Sequence, residues 1–227
     1  MTEPGSLADA TRAVLLGVRL RAVASTDDVR MSVEAEDVVV DDVDALLRQL
    51  ERAGLVEHRD GRFPGWRLTD DGRAEGERLL GVELDTAGAR AGVQGAYERF
   101  LALNGILLRV CTDWQLVDAD PSSLVVNDHV DPTYDRAVID RLRAVHEQVQ
   151  PVCSSLGAQV ARFATYEPRF ATALAGVDAG DREGFDKDAL DPYHAIWFEL
   201  HDHLLATLGI DRSTEPLPDT THRAPPP

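Results

Sequence analysis

The sequence has a single lysine, Lys187, so nearly every cation it offers is an arginine. Isoleucine is scarce beside valine and alanine, a bias that reflects genome composition and carries no chemistry. The two cysteines, Cys111 and Cys153, have no CxxC partner, which argues against a disulfide framework or a zinc knuckle and leaves buried thiols as the expectation. No run approaches the ~18 apolar residues of a membrane span, and the first ten residues, MTEPGSLADA, lack the basic and apolar regions of a secretory leader. A cytoplasmic protein without a membrane partner is expected. There is no glycine-rich phosphate loop, no HExxH and no His-Cys cluster, so no cofactor, metal or enzymatic activity is expected. Positive charge is short as well: residues 1–85 carry 11 arginines against 19 acids, and the whole chain has a formal charge of -17. Nucleic-acid affinity draws on neutralising phosphates, so any DNA contact must come from local placement of arginine.

What is present is helical spacing. Leu7, Val14, Leu15, Val18 and Val23 mark a first segment, and Ser25-Thr26-Asp27-Asp28 supplies cap candidates for a second helix with Val29 and Val33 on one face. From Asp41 the pattern tightens: Val43, Leu46, Leu47 and Leu50 fall at i, i+3, i+4 and i+7, and Gly54 stands where a helix would stop. Asp60-Gly61 is a turn dipeptide between two strand-like pieces, which predicts a hairpin from Val56 to Leu68. Thr69 then caps a helix carrying Leu79, Leu80 and Leu84. Helix-helix-helix-hairpin-helix is the order of a winged helix-turn-helix.

The run L47…L50-E51…G54-L55-V56…R62…L68-T69-D70-D71-G72-R73 resembles the MarR/PadR type of bacterial winged-helix regulator, over residues 7–85. The resemblance implies that the third helix and the wing face DNA. The expected contact set is Arg48, Gln49 and Arg52 on the helix with Arg59, Arg62 and Arg67 on the wing. Asp41, Asp42 and Asp44 stand against it. In a first turn they suit the helix dipole, yet at a recognition helix they meet phosphates at a Coulomb cost or, for Asp42 or Asp44, accept from a cytosine amine. A winged helix used for protein contact is the alternative.

Residues 86–212 read as an all-α bundle, so the fold class is mainly α, with domains at 1–85 and 86–212 and a flexible proline-rich tail over 213–227. A long helix carries Val93 to Trp114, another begins at Pro132, Pro151 punctuates the join to a third, and Phe170, Leu174 and Val177 belong to a fourth. Asp191 caps the last, with Pro192 at its first position and Gly209 closing it. Polar and aromatic groups gather in CTDWQ, NDHVD and YHAIWFELHDH. If the NDH loop folds over the final helix, Trp114, Asn127, Asp128, His129, His194, Trp197 and His201 would line a ligand pocket. The alternative is that Asp128 and Asp131 cap the helix at Pro132 while the histidines fill buried positions. His194 and His201 lie about 10 Å apart along a helix axis, too far to share a metal, and Glu199 with His203 suits an exposed ion pair better than a chelate. These segments resemble a helical domain that follows a winged helix in actinobacterial regulators, and a similar pair occurs in pyruvate phosphate dikinase-like chains. That resemblance spans residues 89–212 and carries over no catalytic residue.

The expected function is a ligand-responsive transcriptional regulator, a homodimer on double-stranded operator DNA with a small-molecule effector in the helical domain. The alternative is a regulatory interaction module for a metabolic enzyme of the phosphotransfer type. Catalysis with His129, His194 or His201 as general base ranks last, because no nucleophile accompanies them.

Overall fold

Helix caps written in the sequence delimit the first elements. In the computed structural model, which describes residues 6–21, 23–36, 38–120, 123–180 and 188–215, α1 (Leu7–Arg21) is followed by α2 (Thr26–Ala35), whose cap Ser25 forms a reciprocal box with Asp28. Asp42 caps α3 (Val43–Arg52) by accepting from the Ala45 N–H at 2.9 Å. Val43, Leu46, Leu47 and Leu50 are buried, as their spacing predicts. α3 ends in a Schellman turn: Gly54 takes a φ of 76°, its N–H donates to Glu51, and Leu55 donates to Leu50.

The chain then forms an antiparallel hairpin of β1 (Val56–Arg59) and β2 (Gly65–Leu68), in register from Val56 opposite Leu68 to Arg59 opposite Gly65. Ala24 bridges to Trp66 on the far side of β2, exchanging backbone hydrogen bonds of 3.0 and 2.8 Å. This close approach is why residue 65 is glycine: a Cβ there would sit 2.8 Å from the Ala24 carbonyl oxygen. Thr69 caps α4 (Asp70–Thr86) by accepting from Gly72, and Gly72 in turn lies against the Leu55 backbone.

α5 (Arg90–Gln115), α6 (Pro132–Gln159), α7 (Tyr166–Gly180) and α8 (Asp191–Leu208) complete the eight α-helices among the described residues. Two compact units result. The first comprises the described residues of Met1–Ala91 with Val160–Arg162 and His201–Thr214; its core joins Val14, Leu15, Val29, Leu47, Val56 and Trp66, and Leu16, Leu80 and Ala206 form a second small cluster. The other comprises the described residues of Gly92–Gln159 and Phe163–Leu200 with Glu215. Within it Trp197 stacks on Phe100 at 4.4 Å and donates from Nε1 to Asn104 at 3.0 Å.

The protein is mainly helical with a small antiparallel hairpin. The expectation of an all-α region after residue 86 needs correction, since β3 (Leu116–Asp120) and β4 (Ser123–Val126) form a second antiparallel pair. Leu116-Val117 and Val125-Val126 are apolar, the three valines β-branched, and the Asn127 N–H closes back on the Gln115 carbonyl at 2.8 Å. Pro151 also fails to divide two helices; it lies inside α6. An interior proline costs about 3 kcal/mol, and burial of Val145 and Val149 before it and Val152, Cys153 and Leu156 after it holds the axis through. Among the described residues no helix is long and apolar enough to cross a membrane. Of the expected tail, residues 213–215 are described, with Arg212–Thr214 in a 3-10 turn, and 216–227 fall outside the described residues.

Candidate functional site

The outward face of α3 is the side opposite its buried stripe, and Ala45, Arg48, Gln49 and Arg52 are exposed there. The three aspartates ahead of them are not equivalent. Asp42 is committed to the cap. Asp44 lies between two guanidiniums, with Arg30 of α2 at 3.4 Å and Arg48 at 3.9 Å. Asp41 remains exposed. Arg30 also holds Asp27, so one arginine absent from the expected contact set brings positive charge beside the front of α3. Its proximity follows from the α2–α3 packing, which spacing along one helix does not reveal.

The six expected contact residues divide. Arg52 is exposed and forms no ion pair among the described residues. Arg62 lies in the exposed turn between β1 and β2, its guanidinium 5.5 Å from the centre of the Phe63 ring, and Phe63 is itself 68% exposed. Arg48 holds Asp44 only loosely, at 65% exposure, and Gln49 is exposed beside it. Arg59 is paired to Glu57 on its own strand at 2.6 Å. Arg67 is half-buried, with Nε buried and unpartnered, which takes it off the outward face.

The expected pocket residues also divide. Trp114, Asn127 and His129 meet around Asp135, a fully buried carboxylate on α6 that sequence reasoning missed. The Asn127 amide donates to the Trp114 carbonyl at 3.1 Å and to Asp135 Oδ1 at 2.9 Å. Both amide hydrogens are then spent, so His129 Nδ1, 3.1 Å from the same oxygen, carries the proton it shares with Asp135. The Asn127 carbonyl accepts from the His129 backbone N–H, and the His129 ring rests 4.5 Å from that of Trp114. His129 pays with a φ of 57°, the only positive φ outside glycine among the described residues. Asp128 is exposed and turns the loop by accepting from Val130, while Asp131 caps α6 through Thr133 and Tyr134.

The remaining members have partners of their own. Trp197 is engaged by Asn104, His194 packs its ring 4.5 Å from Phe198, and His201 faces Arg212 at 3.3 Å. Burial holds the His194 pKa below its ordinary value, with Asp191 pulling the other way, and its Nε2 is buried without a partner. Glu199 takes both nitrogens of Arg169 at 2.6 and 2.7 Å, and His203 accepts from Arg162 at 2.9 Å. Among the described residues no group of three or more His, Cys, Asp and Glu is placed to hold a metal ion. Burial pushes both thiols, Cys111 and Cys153, up to about 12.

No protein-family model matches the chain, and no curated protein or solved structure matches it either.

Proposed function

We propose that the chain is a DNA-binding regulator in which α1 to α4 with the β1–β2 hairpin act as a winged helix, followed by a helical bundle. Support for the winged helix comes from the order of elements and from the Ala24–Trp66 bridge, which ties the hairpin to the segment between α1 and α2. The observation that carries the reading is the electrostatics of α3: Asp42 is committed to the helix cap, Asp44 is held by Arg30 and Arg48, and the outward face beyond the first turn presents Arg48, Gln49 and Arg52. The contact set is therefore Arg30, Arg48, Gln49, Arg52 and the hairpin-turn Arg62, with Arg59 and Arg67 removed from it. A homodimer would set two such helices on half-sites about 34 Å apart. Trp114, Asn127 and His129 are engaged with one another and Asp135, so an effector there would have to displace these contacts.

Titrating salt against binding to random duplex DNA tests the proposal. With three or four arginines on phosphates, log affinity should fall with log salt at a slope of about -3, and Arg52→Ala should shorten that slope by about one. No binding even at low salt overturns it. The second reading, an interaction module with a basic protein partner, is favoured by the Arg59–Glu57 pair and the formal charge of -17.

A further inference from the structure

Arg162 is a buried cation of the first unit, and His203, Thr207 and Glu83 bond it there. Its Nε donates to His203 Nε2 at 2.9 Å, its Nη2 donates to Thr207 Oγ1 at 3.0 Å, and its Nη1 bonds Glu83. Glu83 also faces Arg12 Nε at 3.7 Å, and Arg12 Nη1 holds Glu36 at 2.6 Å. All six residues belong to the first unit, although they come from α1, the end of α2, α4, the 3-10 turn Ala161–Thr165 and α8.

Of these groups the histidine is the one that titrates near neutral pH. An arginine N–H only donates, and the nitrogen facing it must therefore keep a lone pair. That fixes His203 as neutral with its proton on Nδ1. A second proton would replace the acceptor with a donor and set an imidazolium against a buried guanidinium, an arrangement that burial makes costly. Burial already weakens the hold of Arg162 on its own proton; Glu83 and Glu36 oppose that effect and Arg12 adds to it. On the same α8 segment, His201 and Asp202 both face Arg212, at 3.3 and 3.8 Å.

We propose that His203 is an acid-sensitive latch: neutral, it fastens the C-terminal half of α8 through Arg162 to the Glu83–Arg12–Glu36 chain; protonated, it releases His201–Thr214 from the rest of the first unit. The proposal is independent of what α3 contacts.

Hydrogen exchange on the full chain, corrected for intrinsic rates, tests it at about pH 7.5 and about pH 5, the range where histidine titrates. Wild-type amides in 201–208 should lose about tenfold in protection at the lower pH while those of 43–52 hold theirs. His203→Gln offers the same guanidinium a carbonyl oxygen and no titration, and should keep its protection at both pH values. A wild type that stays protected in acid overturns the latch, as does a His203→Gln variant that opens like the wild type. Should that variant not fold, the nitrogen-15 shifts of the wild-type His203 ring decide: a neutral Nδ1–H tautomer at pH 7.5 is expected, and an imidazolium or an Nε2–H tautomer overturns the proposal.

Discussion

Arg30 Nη2 stands 3.4 Å from Asp44 Oδ2, so a cation from α2 reaches the carboxylate at the front of α3. Removing either partner should move DNA affinity in opposite directions. Arg30→Ala loses a phosphate contact and frees Asp44, and should weaken binding several-fold while reducing the salt slope by about one. Asp44→Asn should strengthen it. Fluorescence anisotropy on a labelled duplex at fixed salt reads both, and a protein-contact module would show neither effect.

Gly72 sets a hard limit in the first unit. A Cβ at this position would lie 1.7 Å from the Leu55 carbonyl oxygen, and backbone has little room to yield. Gly72→Ala should destabilise by at least about 2 kcal/mol, because α4 must shift away from the turn that ends α3. Urea unfolding gives the value, and an unchanged midpoint would refute the packing described for Gly72.

Both thiols should be slow to react. Their pKa of about 12 leaves almost no thiolate at pH 8, and thiolate is the reactive form. With a disulfide reagent the folded chain should label at a small fraction of the rate in urea, Cys153 more slowly than the less buried Cys111.

His146 gives the second unit a pH dependence. Burial lowers its pKa, partly offset by Asp178 and Glu147, so the folded chain takes up this proton less readily than the unfolded one. Its contribution to stability is complete above the unfolded value of about 6.5 and is lost as pH falls from there through the folded value. His146→Gln should flatten the decline in melting temperature between about pH 7 and pH 5.5, measured by calorimetry.

Local signals made much of the first unit legible. The Ser25 box, the α3 stripe, the Gly54 stop, the Asp60-Gly61 turn and the Thr69 cap each act within a few residues, and each is found where the sequence sets it. The misses are effects of distance or of packing. Asp135, Asn104 and Arg162 matter through partners 8, 93 and 41 positions away, and no periodicity encodes such pairings. Pro151 reads as a stop because the local rule counts one lost hydrogen bond, whereas the buried valines on either side of it decide the outcome. The β3–β4 pair was hidden in a stretch too short to display an alternating pattern. The pocket expectation grouped residues by type, and no local signal foretold that Trp197 bonds Asn104 or that His201 faces Arg212.

The first unit takes in residues at both ends of the described chain, since Val160–Arg162 and His201–Thr214 belong to it along with the stretch up to Ala91. Synthesis runs from the N-terminus, so on the ribosome Arg12 and Glu83 emerge long before the arginine and histidine that complete their network. The Arg12–Glu36 and Arg12–Glu83 contacts can form early, whereas Glu83 must wait for nearly the whole polypeptide before it gains Arg162. A gene fragment truncated near residue 91 would leave Glu83 with Arg12 but without Arg162, and expression trials of that fragment would meet the loss as poor yield.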